Sequence, residues 1–173
     1  MARIKLSRFD LLSNFDNYVK WLSDDELFEF LSSRTPRSNE KEIKRYIQEQ
    51  KRNGSIFLPV IYSQNNEHIG NLKIYNFDEE NGKKHAEYSR FIGEKKYHGK
   101  GLGTELGNLA LDYCFNELNL DFVIAGCFAD NIGAIKSNIK LGFQEHSRFE
   151  DCSQEHNPKI IKFRIKKEDF LKT

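Results

Sequence analysis

Three glycines in five residues, Gly99, Gly101 and Gly103, stand between an alternating apolar stretch and a long helical pattern. No other feature of the chain limits its fold so strongly. Glycine permits positive φ and lets backbone approach a ligand closely. The free N–H groups at the start of the following helix, with its dipole, then suit a phosphate or pyrophosphate. The plainer alternative is a flexible turn ahead of a helix. No Gly-Lys-Ser/Thr ends the loop, which excludes a Walker A phosphate loop. A dinucleotide-binding fingerprint fits poorly, because the loop follows an antiparallel meander and does not open the first βαβ unit.

The pattern around the loop predicts a mixed α/β order. Arg3 to Phe9 alternates as a first strand. Leu11 to Ser32 is helical, with Phe15, Val19 and Leu22 at helical spacing. Asn39 with Glu42 resembles a capping box and opens a polar helix to about Lys51, stopped by Asn53-Gly54. Ile56 to Ser63, His68 to Phe77 and Ala86 to Ile92 form a three-strand meander, with a loop over 78–84 containing Asn81-Gly82. Pro59 demotes the first of these strands toward an edge or a bulge. Then come a helix over Gly103 to Leu118, a strand over Phe122 to Phe128, and a short helix over Gly133 to Leu141. Two strands, Phe143 to Phe149 and Lys159 to Ile165, complete the order. With no repeat or composition break, residues 1–173 are expected to form one domain.

The net charge of +1 is too small to hold a polyanion by charge alone, which disfavours duplex nucleic acid. No apolar run approaches the ~18 residues of a membrane span. The first eight residues alternate charge and apolarity, unlike a secretory leader. Cys114, Cys127 and Cys152 are an odd number without metal-like pairing, which suggests free thiols and a cytoplasmic setting. Cys114 and Cys127 are expected in the core. His146 and His156 are isolated, so no metal site is expected.

At this point motifs accumulate. His98-Gly99-Lys100-Gly101-Leu102-Gly103 is followed by Asp130-Asn131-Ile132-Gly133-Ala134-Ile135 and by Lys140-Leu141-Gly142-Phe143. In this order and at these separations they resemble the GNAT superfamily of N-acetyltransferases, over roughly Ile56 to Phe149. The resemblance is strongest to the branch that acetylates ribosomal-protein N-termini, polyamines and amino sugars. It implies a three-layer αβα fold. The central sheet is twisted and mostly antiparallel, with six to seven strands and about four helices. It implies acetyl-coenzyme A as cosubstrate and no metal. The family's loop begins Arg/Gln-x-x-Gly-x-Gly/Ala. His98 takes the first place, a departure, while Gly101 and Gly103 keep the glycine places.

The resemblance also assigns roles. Gly99, Lys100, Gly101, Leu102, Gly103 and Thr104 would hold the pyrophosphate. Phe91 and Ile92 would lie on a bulged strand whose amides pair with the pantetheine arm, the Ile92 N–H or a neighbour polarising the thioester carbonyl. Asn131 would bond a pantetheine amide, and its side chain also suits a helix cap.

Acetyl transfer to an amine requires proton removal, carbonyl polarisation and a way for the thiolate to leave. Glu87, a carboxylate on a mostly apolar strand, is the candidate base if burial raises its pKa. The alternative is a solvated or salt-bridged strand residue, with Arg90 as a partner. Many relatives carry a tyrosine acid four residues before Gly-Phe. Asn138 stands there instead, and Ser137 beside it could relay a proton through water. The alternative makes both polar residues of a surface helix. Asp24-Asp25-Glu26 could rim a cationic acceptor's site or simply start a helix.

The acceptor is expected to be a small-molecule amine, with an amino sugar favoured, or a peptide N-terminus. A non-catalytic coenzyme-A-binding sensor is the competing class, and a nucleotide-binding protein a weaker one. An exposed apolar strand edge near the C-terminus would favour a homodimer.

Overall fold

The computed structural model describes residues 2–8, 16–28, 39–150 and 159–170. Expectations for Phe9 to Phe15, for 29–38 and for Cys152 and His156 lie outside them. Seven strands are hydrogen-bonded in the order β1-β2-β3-β4-β5-β7-β6. β1 with β2, β5 with β7 and β6 with β7 pair antiparallel, and β4 with β5 parallel. The chain divides into two compact units. One holds Met1–Lys73 and Arg90–Leu106, the other Ile74–Ser89 and Gly107–Thr173.

In the first unit, β1 (Ile4–Leu6) pairs antiparallel with β2 (Ile56–Tyr62), Ile4 opposite Tyr62. β2 is second in the sheet, so Pro59 does not mark an edge strand. Its carbonyl accepts the Ser7 N–H at 2.9 Å, just past the end of β1. The missing proline donor therefore falls where the ladder stops. α1 (Asp16–Leu22) and α2 (Asp25–Phe28) are short. α3 (Glu40–Arg52) begins where Asn39 Oδ1 accepts the Glu42 N–H at 3.2 Å. Such a cap is worth about 1 kcal/mol. Ile43 and Ile47, four apart on α3, face inward against Tyr18, Trp21, Leu22 and Phe57, with Phe91 packed on the cluster.

β3 (Glu67–Glu80) and β4 (Lys83–Ile92) meet at Asn81-Gly82, a turn that lies in the second unit. Both turn residues have positive φ, 52° and 73°, the conformation of the tightest hairpin turn. The strands therefore run deeper into the expected 78–84 loop than alternation suggested. Most of α4 (Leu102–Asp112) leads into a wider helical turn, Tyr113–Glu117, which ends before left-handed Asn119. β5 (Phe122–Phe128) lies parallel to β4 over His85–Tyr88 and antiparallel to β7 (Lys159–Lys166). α5 (Ile132–Lys140) precedes β6 (Gln144–Glu150), a fully exposed edge strand with a register shift near His146. α6 (Lys167–Phe170) closes the order.

The described residues hold six α-helices where about four were expected, the extra ones being short. Cys114 is buried, whereas Cys127 is only half-buried and not a core residue. Burial pushes the Cys114 thiol up to about 12. No described helix is long and apolar enough to cross a membrane.

In the second unit, alternation sorts the strands into two faces. Ala86, Tyr88, Val123, Ala125, Ile161, Phe163 and Ile165 are buried. Glu87, Lys162 and Arg164 alternate with them and are only part-buried.

Candidate active site

The first unit carries the glycine loop and the end of β4. The N–H groups of Gly93 and Glu94 both donate to the Ile69 carbonyl, at 2.8 and 3.2 Å. Two residues against one carbonyl form a bulge. It falls one or two residues later than the expected Phe91–Ile92. Gly93 is required there because a Cβ would run into the Trp21 ring. Phe91 packs edge-on against Trp21, with ring centroids 5.7 Å apart. Its side chain is therefore part of the aromatic core.

Residues 94–98 are pinned to their surroundings. Glu94 accepts from the Trp21 indole at 3.0 Å and Lys20 at 3.1 Å. Lys95 pairs with Asp24 at 2.8 Å and Glu26 at 2.7 Å. Glu67 accepts from Lys96 at 2.6 Å and the Tyr97 hydroxyl at 2.8 Å. Burial raises the Glu67 pKa, but the hydrogen bonds from Lys96, Tyr97 and Asn65 outweigh it and hold the carboxyl below its ordinary value. Asp24 also accepts the Leu27 N–H, so the acidic run 24–26 starts α2 as the helix-start reading expected.

His98 turns back, and its Nε2 lies 2.7 Å from the Ile92 carbonyl. That ring nitrogen must carry the proton and donate. Gly99 and Gly101 follow with φ of 72° and 77°, the left-handed region that favours glycine. A Cβ on Gly99 or Gly103 would meet nothing within 4 Å. Open space here, at the N-terminal end of α4, fits the close approach of a pyrophosphate. Thr104 lies in that turn, and its N–H reaches the Gly101 carbonyl at 3.2 Å. Leu102 is buried and anchors the helix start. Lys100 is exposed, its ammonium 5.6 Å over the Tyr97 ring.

Arg3 and Glu105 were not singled out from sequence. The Glu105 carboxylate accepts from the Arg3 N–H at 2.8 Å, the Ile4 N–H at 3.3 Å and the Arg3 guanidinium at 2.8 Å. Arg3 also donates to the Lys100 carbonyl at 3.0 Å. β1 thus braces the loop through its carbonyl side.

The second unit carries Glu87, Asn131, Ser137 and Asn138. Glu87 Oε1 accepts from Asn76 at 3.2 Å, and Oε2 pairs with Lys162. The ion-pair partner is Lys162, 75 residues away in sequence. Asn131 caps α5, its Oδ1 accepting the Ala134 N–H at 3.0 Å. Only its NH2 group remains to donate to a pantetheine carbonyl. Asn138 is 3% exposed, so it is not the surface residue that the plainer reading expected. Its backbone carbonyl accepts from Leu141 and Phe143, both at 3.1 Å, where α5 ends. Ser137 is part-buried on the preceding position. The β4–β5 pairing ends at Tyr88–Ala125, before Phe91 and Ile92 are reached.

A seven-strand, mostly antiparallel sheet with a glycine loop opening a helix after the meander defines an acyltransferase architecture. Residues 3–144 match the acetyltransferase (GNAT) domain family. The chain belongs to that family and is an N-acetyltransferase. A Bacillus subtilis relative named as an uncharacterized N-acetyltransferase, YnaD, is 26% identical over 68% of this chain and 67% of its own. A second, the probable N-acetyltransferase YjcK, is 40% identical over 32% of each chain. Among solved structures, Vibrio cholerae spermidine N-acetyltransferase in complex with CoA and spermine superposes with a TM-score of 0.81. It is 18% identical, with 99% of both chains covered. A Bacillus anthracis GNAT-family acetyltransferase gives a TM-score of 0.74 at 20% identity over 96% of both.

Proposed function

We propose that residues 1–173 act as one domain that moves the acetyl group of acetyl-coenzyme A directly to the primary amine of a small molecule. The observation that carries this is the loop geometry. Left-handed Gly99 and Gly101 turn the backbone, and Gly103 leaves open space at the start of α4. Acetyl-coenzyme A supplies an activated thioester. The pyrophosphate would rest on Gly99 to Thr104, and the Asn131 NH2 would donate to the pantetheine arm. The Ile92 N–H would polarise the carbonyl that is attacked. Glu87 would take the proton of the attacking amine. With Asn138 in the usual tyrosine place, the thiolate would leave without a dedicated side-chain acid, or with a proton relayed by Ser137 through water.

The Vibrio cholerae protein acts on spermidine, so amines as a class are a reasonable acceptor. A polycation needs uncompensated carboxylates. Here Asp24 and Glu26 are both paired with Lys95, and Glu80 is paired with Arg164 at 2.6 Å. Lys95, shared by Asp24 and Glu26, and Arg164 on Glu80 reduce the negative charge left for a polycation, which is the ground for favouring an amine of low charge, such as an amino sugar, over a polyamine.

The test is acetylation of D-glucosamine, spermidine and a short peptide with a free N-terminus, followed by mass spectrometry. Acetyl transfer to glucosamine ahead of spermidine supports the proposal. Calorimetric coenzyme A binding with no transfer to any of the three would leave the sensor reading in its place.

A further inference from the structure

We propose that Lys162 is a positioning residue for Glu87, and that Gly126 is the opening that lets it reach. This rests on the reading of Glu87 as the group that takes the amine's proton.

β5 lies between β4 and β7. Lys162 stands opposite Gly126, whereas Glu87 stands opposite Ile124, two residues along β5. Strands are spaced about 4.8 Å apart, so β7 and β4 are roughly 10 Å apart. The Lys162 side chain must therefore lie across β5 and take a diagonal step to meet the carboxylate. A side chain on β5 at 126 would stand in its path. An ideal Cβ on Gly126 would be 3.4 Å from Cδ and Nζ of Lys162 and 3.5 Å from Cε. That is the near edge of ordinary contact. A single methyl fits, and the branches of a larger side chain do not.

The result is a carboxylate held at both oxygens. Asn76 donates to Oε1 from β3, and Lys162 takes Oε2 from β7. Glu87 and Lys162 are 19% and 22% exposed, so solvent screens them only in part. Held in this way, Glu87 keeps one orientation. Without the ammonium, Asn76 alone would hold it, and the side chain could turn from the acceptor.

The neighbouring pair is a built-in control. Arg164 lies two residues on along β7, on the same face, and pairs with Glu80. Arg164 also stacks over Phe122 at 4.0 Å. If cross-strand pairing on this face served only to hold the fold, losing either cation would have similar consequences.

The test measures kcat and the KM for acetyl-CoA on the full chain, with D-glucosamine, spermidine and the N-terminal peptide as amine probes. Lys162→Met should lower kcat about 10- to 100-fold, the range for a misplaced catalytic group, with KM for acetyl-CoA within about twofold. Lys162→Arg should recover most of the loss, because a guanidinium keeps the charge and the reach. Gly126→Leu should reproduce Lys162→Met, and Arg164→Met should leave kcat unchanged. In Glu87→Gln the added Lys162→Met should cost nothing further, since the two act as a unit. Thermal melts identify any variant that fails to fold, and Lys162→Met decides the matter if Gly126→Leu does. Folded Lys162→Met with more than half of wild-type kcat overturns the proposal while leaving Glu87 in place. Glu87→Gln with near-normal kcat overturns both the Glu87 role and the proposal, as does absence of turnover with every probe.

Discussion

The imidazole of His98 donates to the backbone carbonyl of Ile92 across 2.7 Å. The side chain that departs from the family's Arg/Gln pattern therefore ties the glycine loop to the end of β4. A glutamine or arginine could make the same bond, since each carries N–H donors at comparable reach. The departure at 98 keeps a donor and changes only its shape.

His98→Ala should weaken coenzyme A binding about fivefold, the equivalent of one lost hydrogen bond of about 1 kcal/mol. His98→Gln should bind like wild type. Titration calorimetry with coenzyme A checks both. Equal weakening in the two variants would mean that the imidazole itself touches the ligand.

Gly101 and Gly103 should fail for different reasons. Gly101 sits at φ 77°, where a branched side chain is strained by about 1–2 kcal/mol, so Gly101→Val should lower both stability and coenzyme A affinity. Gly103 is not left-handed, and a Cβ there meets nothing within 4 Å. Gly103→Val should therefore keep most of its stability and still lose at least about tenfold in affinity, since only a bound pyrophosphate would clash with it. Comparing melting temperature with calorimetric Kd separates the two. A Gly103→Val protein that binds normally would remove the pyrophosphate from this loop.

What was legible in the sequence was local. The Asn39 cap, the Asn81-Gly82 turn, β5 at Phe122–Phe128 and the glycine loop each depend on residues within a few positions of one another. The contacts that organise the site are not local. Glu87 meets Lys162 across 75 positions, and Arg3 meets Glu105 across 102. No short window holds both partners, so a cation close to Glu87 in the chain, such as Arg90, was the natural choice and Lys162 was not visible. Pro59 misled for a related reason. A proline argues against an interior strand only where its missing donor faces a continuing ladder, and here β1 has already ended.

Asn131 has two ends with separate duties. Its Oδ1 caps α5, and its NH2 is the end proposed to meet pantetheine. Asn131→Asp keeps the capping oxygen and suits the helix dipole, so the melting temperature should hold. It removes the donor, so the KM for acetyl-CoA should rise about fivefold or more. Asn131→Ala should lose both stability and donor affinity. If the Asp variant matches wild type in KM, Asn131 is a cap alone.

The first unit should lose stability in acid in two stages. His68 is buried, with Nε2 3.0 Å from both the Gly70 carbonyl and Asn71 Oδ1. Burial lowers its pKa more than those two hydrogen bonds raise it. An unfolded histidine takes a proton near pH 6.5, which folded His68 still refuses. Its stabilising contribution is therefore complete above about pH 6.5 and declines as pH falls from there toward the lower folded value. Glu67 and Glu94 follow at lower pH. Burial raises both, but Lys96, Tyr97 and Asn65 hold Glu67 below its ordinary value, and Trp21 and Lys20 do the same for Glu94. Their contribution stands above about pH 4.3, the unfolded glutamate value, and is lost as pH falls through the folded ones. Trp21, the single tryptophan, is buried and meets the His68 ring edge-on at 4.9 Å, so its fluorescence reports on this region. Urea unfolding followed by Trp21 emission should give a lower midpoint at pH 5.5 than at pH 7.5. In His68→Gln that difference should shrink, because the group that separates the two pH values is gone. Identical wild-type midpoints at the two pH values would show that folded His68 takes its proton as readily as an unfolded one.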